Sequence, residues 1–137
     1  MQKFTPLVWI PEYTVHVEEL DNQHQKLFDI TNQILALYEK GSDDLYSVLR
    51  ELVEYLCNHI KSENKVMLES HYPGYAGQDK QHAEFIDMML TYLKKYQDKD
   101  KELKLTTLTY LHQWIYSHTV NLDLKYGQHL LTQAGDK

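Results

Sequence analysis

A single cysteine, Cys57, stands in a chain of 137 residues, which excludes an internal disulfide, a thiolate zinc cage and a Cys-x-x-Cys redox pair together. Any metal bound here must therefore be held by nitrogen and oxygen. Proline is nearly as scarce. Pro6 and Pro11 lie near the start and Pro73 is the third, so long stretches carry nothing that would break a helix in that way. There is no run of basic residues, and 14 basic against 20 acidic side chains give a formal charge of −6, without the electrostatic footprint of a nucleic-acid binder. Long apolar runs are missing too: hydrophobic stretches are short and interrupted by charge, and Met1 to Pro6 lacks the apolar core of a secretory signal. A cytoplasmic protein without membrane contact is the expectation.

What is present is enough for one core. Hydrophobic residues make up 42% of the chain and charged ones 25%, the balance of a folded globular domain, and 137 residues are too few for two cores. We therefore expect one domain over residues 1–137, with an arm over 1–17 and a bundle over 18–134. Pro6, Pro11 and the β-branched and aromatic residues around them read as an extended arm that Trp9 anchors.

Four helical stripes follow, each with apolar steps of three and four residues. The first runs from Leu20 through His24, Leu27, Phe28, Thr31, Ile34 and Leu35 to Tyr38, and Gly41 ends it. Ser42, Asp43 and Asp44 offer capping oxygens to a second, which carries Leu45, Leu49, Leu52, Leu56, His59, Glu63 and Met67. After the break at Tyr72-Pro73-Gly74, a third begins near Gln78 and turns His82, Phe85, Ile86, Met89 and Leu93 inward. The charged stretch Gln97 to Glu102 reads as a turn. A fourth carries Leu105, Leu108, Leu111, Trp114, Ile115, His118 and Leu122, and should fray after Tyr126-Gly127. With no strand pattern, the fold class is all-α, an antiparallel up-down-up-down four-helix bundle.

Histidine is the unusual count: eight, at positions 16, 24, 59, 71, 82, 112, 118 and 129. His24, His59, Glu63, His82 and His118 each interrupt an apolar stripe where a core leucine would be expected. His59 and Glu63 are four apart, about 40° round a helix, so both can serve one centre. A lone buried imidazole is usually satisfied by an ordinary hydrogen bond. Four imidazoles and a carboxylate facing inward from four helices would be costly to bury unless something satisfied them together. A metal does so, and a nitrogen-and-oxygen donor set suits iron, manganese or zinc better than calcium or magnesium. No glutamate has a histidine three residues on, and His-Glu-x-x-His is absent, which sets aside ferritin-like and zinc-protease sites.

Trp9, Val15 and Asp21-Asn22-Gln23-His24, then His59-Ile60-Lys61-Ser62-Glu63 with Met67, Tyr72-Pro73, His82, and Trp114-Ile115-Tyr116-Ser117-His118 with Asp123 and Lys125-Tyr126-Gly127 resemble the bacterial hemerythrins over nearly the whole chain. The resemblance implies two non-heme irons bridged by two carboxylates and held by five histidines, with one iron keeping a position open for dioxygen. Carried over by position, Glu63 and Asp123 are the bridges, His24 and His59 belong to the open iron, and His82 and His118 to the crowded one. Asp123 is five residues after His118, about 140° round a straight helix, so the helix should widen near Asn121 to bring both inward. The implied role is reversible dioxygen binding, for storage, delivery or sensing, with an oxygen-consuming or signalling protein as the partner.

The sequence departs from that pattern at Gln78, where the family has the first histidine of an H-x3-H pair ending at His82. Three outcomes are compatible: the amide oxygen ligates, the amide holds a water in the vacant position, or metal is lost at that half. The first two are favoured because the other ligands and both carboxylates remain. His71 lies before Pro73 and is not expected to replace the missing imidazole. A second exchangeable position would open an alternative function, a di-iron enzyme or sensor acting on peroxide or nitric oxide, with peroxidase or ferroxidase activity in view. A bundle retained for protein interaction alone is a third reading. Trp114, one turn before His118, is expected to wall the dioxygen pocket. Asn64, where many relatives carry an acidic residue, reads as a surface change. Met67, Met88 and Met89 read as core packing, and His16, His71, His112 and His129 as surface or loop residues.

Overall fold

The computed structural model describes residues 4–42, 45–96 and 100–135. Helix α1 spans Glu18–Glu39, α2 Tyr46–Glu69, α3 Tyr75–Lys95 and α4 Lys101–Ser117; a π-helical turn over His118–Leu122 then joins α4 to α5, Asp123–Gly135. No strand occurs among the described residues. Helix α1 packs on α2 and α4, and α3 on α2 and α4, so each helix lies beside its neighbours in sequence and the last closes on the first. This is the four-helix bundle that the four apolar stripes require. Among the described residues no helix is long and apolar enough to cross a membrane.

Two clusters divide the interior. The larger contains Phe28, Ile34, Leu49, Leu52, Leu56, Phe85, Met89, Leu108 and Leu111 and fills the end of the bundle away from the last helix. The smaller, Val15, Leu20, Met67 and Tyr126, sits where the arm passes α5. The inward polar residues lie between them.

The arm is tied down by side chains that its own backbone needs. Asn32 accepts from the Leu7 amide and donates to the Leu7 carbonyl, both at 2.8 Å. Asp21 accepts from the Val15 amide at 2.8 Å and from the Thr14 hydroxyl. The arm carries one 3₁₀ turn, Pro11–Tyr13, which Pro11 opens.

Several helix ends differ from those read in the sequence. Helix α3 starts at Tyr75, not near Gln78, since Gly74 already serves as its N-cap and the small residues Ala76 and Gly77 enter the first turn. Lys101 and Glu102 are helical rather than part of a turn, because the Asp100 side chain accepts from the Leu103 amide at 2.9 Å and starts α4 there. Leu45 is the N-cap of α2 and has no side-chain capping bond; Asp43 and Asp44, expected to cap it, lie outside the described residues.

The last helix does not fray after Gly127 but runs on to Gly135. Gly127 is small for another reason: a Cβ there would lie 2.9 Å from the Val15 Cα and 3.2 Å from the Thr14 carbonyl oxygen. Gly41, by contrast, has φ of +75° and does end its helix as expected. The inner face of α4 takes Lys104 and Thr107 in place of the half-buried Leu105, and Met88 is exposed rather than packed in the core.

Candidate metal centre

Each helix brings polar side chains to one level of the bundle. His24 comes from α1, His59 and Glu63 from successive turns of α2, Gln78 and His82 from α3, His118 from the end of α4 and Asp123 from the start of α5; all seven are buried. The π turn is what allows the last two to meet. Its five residues close with the Asp123 amide donating to the His118 carbonyl, so a separation of five residues makes one full turn and Asp123 falls over His118.

Two groups of imidazoles share the two carboxylates. On one side, Glu63 Oε2 lies 2.8 Å from His59 Nε2 and 3.1 Å from His24 Nε2, while Asp123 Oδ2 lies 3.2 Å from His24 Nε2. On the other, Glu63 Oε1 is 3.5 Å from His82 Nε2 and 3.9 Å from His118 Nε2, and Asp123 Oδ1 is 3.3 Å from His118 Nε2. Each carboxylate thus gives one oxygen to each pair.

The donor atoms fit two metal ions. Those of His24, His59 and Glu63 lie within 4.8 Å of one another, as do those of Glu63, His82 and His118. Atoms bound at about 2.0–2.1 Å to a common ion stand about 3 to 4 Å apart. Protein contacts alone leave part of the set unsatisfied: Glu63 Oε1 and Asp123 Oδ2 are buried carboxylate oxygens with no hydrogen-bond partner. The approach of His24 Nε2 to Asp123 Oδ2 is close without hydrogen-bond geometry. Orphaned acceptors cost free energy that a cation between them would recover.

Protonation follows the same layout. Burial disfavours a charged His24, yet the close carboxylates of Asp123 and Glu63 outweigh it and raise its pKa to about 10. His118 is raised to about 9 in the same way, Asp123 and Glu63 again overcoming burial. For His59 burial prevails over Glu63 and the pKa falls. Burial works against an ionised Glu63, but the imidazoles of His59, His118 and His24 hold it well below the usual carboxylate range. Protons occupy the ground that a cation would take.

A surrounding layer orients the imidazoles. His59 Nδ1 donates to Gln23 Oε1 at 2.6 Å, and His82 Nδ1 to Asn64 Oδ1 at 3.3 Å, while Asn64 donates in turn to Asp79 Oδ1 at 3.2 Å. Asn64 is therefore not a bystander on the surface as its sequence position indicated. Gln23 and Asn64 flank His24 and Glu63 by one residue, at the rim of the inner face. Polarity beside an inward polar residue was the available signal.

Trp114 stacks flat on His118, with ring centroids 4.3 Å apart, and on Phe85 at 3.8 Å. It stands against the His82/His118 half, not the His24/His59 half where an open position was expected. The tryptophan at that half is Trp9 of the arm, 6.1 Å from His24 and 5.9 Å from Phe28. His112 and His129 lie away from the centre and bind the Thr5 and Ser70 carbonyls. His16 and His71 both adopt positive φ.

Comparison with known proteins points to one family. The family described as Hemerythrin HHE cation binding domain matches residues 15–128. The bacteriohemerythrin of Methylococcus capsulatus is 25% identical over 117 residues, covering 85% of this chain and 89% of that protein. The myohemerythrin of Riftia pachyptila is 27% identical, covering 92% of this chain and 95% of its own length. The myohemerythrin of Sipunculus nudus is 27% identical, covering 88% of this chain and 91% of its own length. With the family match running from the arm to the last helix, the chain belongs to the hemerythrin family.

Proposed function

We propose that the protein binds dioxygen reversibly in the cytoplasm, at a non-heme di-iron centre. Glu63 and Asp123 would be shared by the two ions, with His24 and His59 holding one and His82 and His118 the other. Gln78 would stand beside the second ion. The observation that carries this reading is the division of both carboxylates, one oxygen to each imidazole pair.

When bound, a pair of ferrous ions supplies the two electrons by which dioxygen can be held and then released. The chain does the rest. Glu63 and Asp123 fix the spacing of the pair. Gln23 and Asn64 hold protons on the Nδ1 atoms of His59 and His82, which turns the Nε2 lone pair of each toward the centre. Trp9 and Phe28 cover the His24 side with aromatic surface, which limits water and proton access.

The test is metal content per chain together with the visible spectrum of the protein, reduced without air and then exposed to it. Two irons and an absorption band that comes and goes with oxygen are expected. Fewer than two irons, or a band that forms once and never reverses, would overturn the proposal. A second reading, turnover of peroxide or nitric oxide, draws on Gln78, which brings no third imidazole to the His82/His118 half. Sustained catalytic consumption of either compound by the iron-loaded protein would favour it.

A further inference from the structure

Atom for atom, the two halves of the centre present the same donors. Each has two imidazole Nε2 atoms, one oxygen of Glu63 and one oxygen of Asp123. The likeness extends outward, since each half has one imidazole whose Nδ1 is held by a neutral amide oxygen, from Gln23 on one side and Asn64 on the other. Whatever position the first half leaves to a small molecule, the second leaves as well, unless Gln78 fills it.

Gln78 Oε1 is buried without a hydrogen-bond partner, but the amide atom that contacts the donor set is the nitrogen. Gln78 Nε2 donates to Asp123 Oδ1 at 3.3 Å. A protonated amide nitrogen has no lone pair to give a metal, but it is a hydrogen-bond donor. Turning the amide over would remove that bond and set a second oxygen against the carboxylate. The donor is buried, on the residue where the family resemblance expects a third imidazole.

We propose that the His82/His118 half keeps a second position open to a small anion, and that the Gln78 amide donates a hydrogen bond to that anion rather than ligating metal. The inference rests on the metal reading above. The ligand class is a compact monoanion able both to bind a cation and to accept a hydrogen bond. Trp114, stacked on His118, walls this second position.

Azide is the probe, titrated into the oxidised, iron-loaded protein and followed by absorbance and calorimetry. Two azides per chain are expected, against one for Gln78→His, whose imidazole would occupy the position. Gln78→Ala should still take two, with the second bound roughly tenfold more weakly because its hydrogen bond is gone. A single azide in the unaltered protein, two in Gln78→His, or undiminished affinity in Gln78→Ala would each overturn the inference. A chain loaded with two irons that binds one azide defeats the inference alone, whereas a chain that fails to hold two irons defeats it and the metal reading together.

Discussion

Asn64 shows how far one uncharged side chain can matter to a charged site. Its Oδ1 accepts a hydrogen bond from His82 Nδ1, and its own amide is steadied by Asp79, so the His82 ring is held with Nε2 toward the carboxylates. Partners of this kind commonly change metal affinity 10- to 100-fold. Asn64→Ala should therefore weaken metal binding at the His82/His118 half by about tenfold or more, with helix content unchanged, as read by competition with a chromophoric chelator. An unchanged affinity would return Asn64 to the surface role its position indicated. The inward residues themselves were legible, since His24, His59, Glu63, His82 and His118 each replace a leucine in an apolar stripe. Asn64 was not, because a position beside the stripe looks the same whether its side chain meets water or reaches round to a ligand. Gln78 was legible as a departure, but its orientation depends on where Asp123 lies, and that is a tertiary fact.

Helix ends were harder to read than helix faces, and glycine explains much of the difference. Gly127 follows Tyr126 near the end of a stripe and reads as a terminator, yet it is there to let the arm pass. A Cβ at that position would meet backbone atoms of Val15 and Thr14, which cannot give way as a side chain could. Gly127→Ala should cost about 1–3 kcal/mol, the usual range for overpacking. Gly77 is the opposite case, in the first turn of α3 with nothing within 4 Å of the place a Cβ would take. Gly77→Ala should stabilise by about 0.5–1 kcal/mol, as expected for a glycine inside a helix. Urea unfolding of the two variants checks both. A stabilising Gly127→Ala would mean that the arm is not packed there, and a destabilising Gly77→Ala that α3 begins later, as the sequence indicated. The π turn was legible only through the resemblance, which assigned Asp123 to the same centre as His118; five residues of ordinary helix cannot bring both there.

Across the whole molecule, a buried set of acids and bases makes the metal-free protein sensitive to pH in both directions. His24 and His118 are raised from 6.5 to about 10 and about 9, so above pH 6.5 the folded chain holds two protons that the unfolded chain has released. Their contribution is complete below pH 6.5 and is lost as pH rises through those values. His59 is shifted down from 6.5 and runs the other way: below that pH the unfolded chain takes a proton that the folded one refuses. Glu63, held below its ordinary 4.5, adds a further loss as pH falls beneath that value. Stability of the metal-free protein should peak near pH 6.5, then decline more steeply on the alkaline side, where two imidazoles act against one on the acid side. Metal takes the place of the same protons, so loading should release protons, strengthen with pH, and raise the thermal midpoint most above pH 7. Thermal unfolding of both forms between pH 5 and pH 9 checks this, and a metal-free midpoint still rising at pH 8 would show that Glu63 and Asp123 do not hold His24 and His118 protonated.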